Sequence, residues 1–175
     1  MGKVILYLAM SLDGYIADSK GHYDFLNNYS DMESYDYQGF LSKVGTIIMG
    51  RKSFDLVKQQ KTTWEFDGFD TYVYSRHEHK GTENIHFTNM RPRDLIQKIK
   101  AESDKDIWLF GGSEIIDLFV KDHAVDEYWL YYVAEVLSSG IPLFRTPILD
   151  EMEVKGVRQF GNIVEIRLAP KNHYD

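Results

Sequence analysis

Apolar residues fall along this chain in short, dense runs separated by polar stretches punctuated with glycine. The first run, KVILYLAM (3–10), is continuous and of strand length, as expected for a strand covered on both faces. VGTIIMG (44–50), DTYVYS (70–75), NIHFT (84–88) and DIWLF (106–110) read as further strands. Helical spacing appears between them. RKSFDLV opens a helix at Arg51, and RPRDLIQKIKAES (91–103) sets Leu95, Ile96 and Ile99 on one face with Pro92 in the first turn. SEIIDLFVKD (113–122) is a helix for which Ser113 is a suitable N-cap. Asp31 to Lys43 reads as a helix that Gly39 weakens. Residues 11–24, with Gly14 and Gly21, read as a loop, and the polar and aromatic residues 58–69 as a surface loop.

The pattern changes near the end. VDEYWLYYVAEVL (125–137) reads as a long strand, and residues 152–169 as a hairpin turning at Gly161-Asn162. Strand–helix alternation followed by late strands predicts a three-layer α/β/α fold. Its central sheet is mixed and mostly parallel, with an antiparallel C-terminal edge. The 175 residues, 43% hydrophobic and without internal repeats, are expected to form a single domain over 1–175.

Composition removes several function classes. The net charge of −7 disfavours nucleic acid and anionic membrane surfaces. The absence of cysteine excludes disulfides, thiolate metal sites and cysteine nucleophiles. His77-Glu78-His79 has the wrong spacing for a helical zinc pair, so no metal site is expected. The N-terminal apolar run is short, has no small-residue cleavage site and meets Asp13 at once, which favours a cytoplasmic protein.

Chemistry gathers at strand ends. Gly50 closes the second run and is followed by Arg51, Lys52 and Ser53, a positive helix start that suits phosphate. Ser75 and Arg76 close the third. Gly111 and Gly112 stand between the fifth run and a helix, either as a tight turn or as a place where backbone approaches a phosphate. Open α/β sheets bind ligands beyond the carboxyl ends of their strands, and three such ends here carry phosphate-binding groups. Neither G-x-G-x-x-G nor G-x-x-x-x-G-K-[ST] is present, which argues against a standard dinucleotide half and a P-loop.

LAMSLDGYIA (8–17), IIMGRKSFD (47–55), YVYSR (72–76), IWLFGGSEII (107–116) and SSGIPLF (138–144) together resemble the dihydrofolate reductase fold. The resemblance is strongest to the branch related to the reductase domain of riboflavin biosynthesis. It implies that Ala9 and Ile16 lie beside a nicotinamide and that Gly50, Arg51, Lys52 and Ser53 hold cofactor phosphates. It implies further that Ser75 and Arg76 meet an adenosine 2′-phosphate, favouring NADPH, and that Gly111, Gly112, Ser113 and Glu114 receive the pyrophosphate.

The substrate half departs from both relatives. Residues 23–40 lack the proline and tryptophan that precede the folate enzymes' acid; Asp36, with Phe40 four residues on, imitates that acid, and Asp31 is an equal contender. Tyr131 matches a position near the family's substrate. Ile116 stands where the folate enzymes have tyrosine, and Tyr15 where the riboflavin branch has lysine. The resemblance thus implies an NADPH-dependent reductase of a small heterocyclic or sugar-derived substrate, like a 5-amino-6-(5-phosphoribosylamino)uracil reductase. An NADP-binding sensor or scaffold without turnover is the competing reading. The relatives' habit of pairing implies a homodimer, for which the aromatic strand 125–137 is the expected support.

Overall fold

A computed structural model of the chain describes residues 1–29, 36–60, 64–147 and 150–171. Its centre is an eight-stranded sheet built from β1 (Val4–Met10), β3 (Val44–Gly50), β4 (Asp70–Tyr74), β5 (Ile85–Thr88), β6 (Asp106–Gly111), β7 (Glu127–Val133), β9 (Met152–Phe160) and β10 (Ile163–Pro170). The strand order is β5-β4-β3-β6-β1-β7-β10-β9. Every pairing from β5 to β7 is parallel, and β10 and β9 run antiparallel at one edge. The expected mixed sheet with an antiparallel C-terminal edge is therefore the observed one.

Alternation in the strands supplies two cores. On β1, Val4, Leu6 and Met10 face one side of the sheet, where Leu95 and Ile99 of α3 (Pro92–Glu102) and Ile116 and Phe119 of α4 (Ser113–Lys121) join them. Ile5 and Tyr7 face the other, against Phe40 of α1 (Tyr37–Lys43) and Phe54 and Val57 of α2 (Arg51–Gln60). Both faces being covered explains why β1 and β3 read as continuous apolar runs rather than alternating ones. Among the described residues no helix is long and apolar enough to cross a membrane, and no cluster of three or more His, Cys, Asp or Glu could hold a metal.

Several expected boundaries move. The helix expected over Asp31–Lys43 is observed from Tyr37, with Asp31 outside the described residues. Gly112, not Ser113, is the N-cap of α4, because β6 runs on through Gly111 and leaves one residue for the turn. The strand expected over 125–137 spans only Glu127–Val133. Its intended continuation folds back onto the loop after β1: Leu12 N–H donates to the Glu135 carbonyl, and Leu137 and Ser138 N–H donate to the Asp13 carboxylate. That loop also holds a short strand, β2 (Tyr15–Ala17), paired with β8 (Ile141–Pro142). Two- and three-residue strands more than a hundred positions apart leave no periodic trace in a sequence.

β7 is also an interior strand, flanked by β1 and β10, and its aromatic side chains Tyr128, Trp129 and Tyr131 are buried. These three rings are therefore part of the core, and of the expected strand only Tyr132 and Leu137, half-buried, and Val136, exposed, reach the surface among its large apolar residues. Exposed apolar residues gather instead on the β9–β10 hairpin, where Val154 and Val157 are 59% and 60% exposed and Val164 is 37% exposed. Cross-strand register sets these valines on one face of the hairpin.

Candidate functional site

The strand order contains a reversal. The chain leaves β3 through α2 toward β4 on one side, whereas it leaves β6 through α4 and crosses β1 to reach β7 on the other. Helices diverging from adjacent parallel strands open a crevice at the strands' carboxyl ends, here between β3 and β6. A cleft of about 2440 Å³ opens there. Register fixes what meets in it: Gly50 pairs with Tyr74 at the end of β4, and Met49 pairs with Gly111 at the end of β6.

The cleft is lined by Ala9, Ile16, Gly50, Arg51, Lys52, Ser53, Ser75, Arg76, Gly112, Ser113 and Glu114. Gly111 sits one residue behind the wall at φ +114, joined to Gly112 by a cis peptide bond. Three strand ends far apart in the sequence thus form one surface.

The local geometry suits an anionic, extended ligand. No side chain caps α4, so its first N–H groups are free of side-chain partners at the helix's positive end. A β-carbon on Gly112 would stand 3.3 Å from the Ser53 hydroxyl, so the bare backbone keeps open the gap between β6 and α2. On Gly50 it would meet the Ile115 side chain at 2.9 Å. The cations differ in their commitments. Arg51 is bound to Asp55 by Nε at 3.0 and 3.1 Å and also touches His79. Lys52 and Arg76 are exposed and make no ion pair among the described residues. The buried Tyr74 hydroxyl has no hydrogen-bond partner among the described residues. Uncommitted cations and helix N–H groups without a side-chain cap are the features an anionic nucleotide would satisfy. The residues present fit a pyridine dinucleotide phosphate.

The other end of the cleft is aromatic. Trp108 has Phe110, Phe66 and Tyr37 around it at ring separations of 5.1, 5.6 and 6.1 Å, and Tyr7 lies 5.0 Å from Tyr131. All of these line the cleft. The sequence reading did not single out Tyr7, Tyr37, Phe66, Trp108 or Phe110. Only the alternation in β1 and β6 could have shown Tyr7, Trp108 and Phe110 sharing directions with neighbouring strands.

The proposed acids separate. Asp36 is exposed at the N-cap of α1 in a left-handed conformation (φ 53) and does not line the cleft. Asp31 lies outside the described residues. Tyr131 does line the cleft, but its hydroxyl donates to the Glu165 carboxylate. Burial pushes the Tyr131 phenol well above its ordinary value, and the Glu165 hydrogen bond and charge push it further. A phenol so placed is a poor acid, and its proton is already engaged. Glu165, fully buried on β10, escaped the sequence reading because an isolated glutamate in a hairpin strand reads as solvated surface. Burial works against its charge, but Arg158, the Tyr131 hydroxyl and Arg167 outweigh that and hold the carboxyl below its ordinary range.

An open, mostly parallel α/β sheet with helices on both faces and a crevice at its carboxyl ends is a fold of the dihydrofolate reductase type. The family model described as RibD C-terminal domain matches residues 2–166, and the chain belongs to that family. The chain is 34% identical over 174 residues to the uncharacterized protein YwjB of Bacillus subtilis strain 168, covering 94% of this chain and 95% of that one. It is similar to YyaP, an uncharacterized protein of the same organism, at 35% identity over 153 residues, covering 81% and 80%. Among solved structures, a putative riboflavin biosynthesis protein from Shewanella sp. PV-4 superimposes with a TM-score of 0.85 at 21% identity, covering 97% of this chain and 99% of that one. Acinetobacter baumannii RibD superimposes with a TM-score of 0.72 at 16% identity, over 98% of this chain and 58% of its own. Both structural likenesses establish the fold.

Proposed function

We propose that this protein is an NADPH-dependent reductase acting on a small heterocyclic or sugar-derived substrate. The observation that carries the reading is the meeting of three strand ends rich in glycine, hydroxyl and cationic residues at the sheet's reversal, with Arg76 and Lys52 in no ion pair among the described residues. NADPH, when bound, supplies a hydride to a carbonyl or imine carbon, while a proton from elsewhere goes to the adjoining oxygen or nitrogen.

In this reading the open N–H groups of α4 and the Gly112 backbone take the pyrophosphate. Arg76 and Lys52 take the 2′-phosphate, and Ala9 and Ile16 wall the nicotinamide. Tyr131, held by Glu165, positions rather than protonates, so the proton comes from water admitted to the cleft. The engagement of Tyr131 and the outward placement of Asp36 also favour a second reading, an NADP-binding module without turnover. Binding of NADPH with no oxidation across a carbonyl and imine panel would support that one instead.

Gly112→Ala tests the cradle. At φ −71 the backbone accepts alanine, and the added methyl group needs only a few tenths of an ångström from the Ser53 hydroxyl. The variant should melt within a few degrees of the parent, yet bind NADPH roughly tenfold or more weakly, about 1.4 kcal/mol. Melting and titration on one sample separate the outcomes. Unchanged affinity in a folded variant would make Gly112 a turn residue only.

We also propose that the chain pairs as a homodimer through the exposed valine face of β9–β10. Exposed apolar faces of this kind mark contacts. Light scattering at micromolar concentration should give twice the chain mass, and Val157→Asp should return the monomer mass. A monomeric parent would refute the pairing.

A further inference from the structure

We propose that the aromatic end of the cleft takes a neutral, planar heterocycle and discriminates against one that carries a phosphate. The inference rests on the reductase reading only in calling this ring the substrate.

Charge along the cleft is sorted by position. The guanidinium and ammonium groups that line it are Arg51, Lys52, Arg76, Arg91, Lys121 and Arg145, together with Lys20. The first four belong to the ends of β3 and β4 and the start of α3, Lys121 belongs to α4, and Arg145 lies close enough to Asp117 of α4 to lower its carboxyl. All six thus belong to the half already assigned to the cofactor. The aromatic half, built from β1, α1, the 64–66 segment and β6, contributes no cation to the cleft's lining among the described residues. Lys20 and His22, on the connection after β2, are exposed and gathered around the Asp18 carboxylate, to which both backbone N–H groups donate.

The charged group that the aromatic half does contribute is negative. Glu65 lines the cleft beside Phe66, and its field reaches the Tyr37 phenol, which burial first and Glu65 second push upward. Arg158 and Arg167 lie behind Tyr131 but do not line the cleft, and both are spent on Glu165. A phosphate at this end would meet ring faces and a carboxylate, and Lys20, on the connection after β2, is the one lining cation not assigned to the other half among the described residues. A flat uncharged ring would instead lie against Tyr37 and Phe110, which remain half-exposed, beside Trp108.

The test uses two matched pairs of probes that differ by one phosphate: uridine with uridine 5′-monophosphate, and riboflavin with riboflavin 5′-phosphate. Each is titrated calorimetrically into the full chain presaturated with NADP⁺, which fills the cationic half, and into the protein without it. At least one neutral member should bind to the NADP⁺-saturated protein, and its phosphorylated partner roughly tenfold or more weakly. Tyr37→Ala should weaken the neutral probe roughly fivefold or more, whereas Tyr37→Phe, which keeps the ring, should retain it. Both variants should keep the parent's NADP⁺ affinity, which also shows that they fold. Equal or tighter binding of the phosphorylated members to the saturated protein would overturn the proposal. So would failure of both neutral members, or indifference to Tyr37→Ala. Neutral-ring binding that depends on Tyr37 in a protein that ignores NADP⁺ would leave this inference standing and sink the reductase reading instead.

Discussion

Glu165→Ala is expected to lower the melting temperature by roughly 6–12 °C at neutral pH, from a loss of about 3 kcal/mol. The carboxylate is fully buried yet accepts hydrogen bonds from Arg158 at 2.8 and 2.9 Å, from Arg167 at 2.8 Å and from the Tyr131 hydroxyl. Removing it leaves two guanidinium groups without their shared counter-charge and takes from the Tyr131 hydroxyl the carboxylate it donates to. The Arg167 guanidinium also lies 3.6 Å from the Trp129 ring centroid, so it cannot swing away without losing that contact. The two arginines are partly exposed and water relieves some of the repulsion, which keeps the loss at the lower end for a broken buried pair.

The same group sets a pH dependence whose sign follows from its lowered pKa. Its stabilisation is present above the ordinary glutamate value near 4.5 and is lost as pH falls through the lower folded value. The difference in melting temperature between parent and Glu165→Ala should therefore shrink in acid. A difference that is constant from pH 7 to pH 3 would contradict the ionised, triply bonded carboxylate.

Arg76→Ala is expected to weaken NADPH by roughly tenfold to a hundredfold, about 1.5–3 kcal/mol, while altering NADH little. Arg76 is exposed at the end of β4, lines the cleft and has no ion-pair partner to leave behind among the described residues. Arg51 provides the contrast. It is tied to Asp55 within α2 and lies 5.6 Å from the Phe87 ring centroid, so Arg51→Ala should change the NADPH constant by less than Arg76→Ala does. Equal losses for NADPH and NADH in Arg76→Ala would remove this side chain from the 2′-phosphate.

The convergence of Gly50, Ser75 and Gly112 on one cleft was legible in the sequence because these residues sit at strand ends, which short apolar runs and glycines mark locally. Gly50, Ser75 and Gly112 could each be placed at the end of an element without knowing the sheet order, and a parallel sheet then brings such ends to one side. The aromatic half of the cleft was not legible. Its wall is made from single residues of separate elements, Tyr7, Tyr37, Phe66, Trp108 and Tyr131, whose convergence depends on β6 entering between β1 and β3. Tyr131 shows the limit most clearly. Its position beside the cleft followed from the family resemblance, but the carboxylate that holds its proton lies 34 residues away on β10. The β2–β8 pairing and the return of Leu137 and Ser138 to Asp13 were hidden for the same reason, being long-range contacts between short segments.

The central claim, that the crevice between β3 and β6 binds NADPH through its 2′-phosphate, is tested most directly by titrating the unmodified protein with NADPH and with NADH at physiological ionic strength. The account predicts saturable binding of NADPH, at least about tenfold tighter than NADH, or about 1.4 kcal/mol. Equal affinity for the two cofactors, or no binding of either at millimolar concentration, would contradict it.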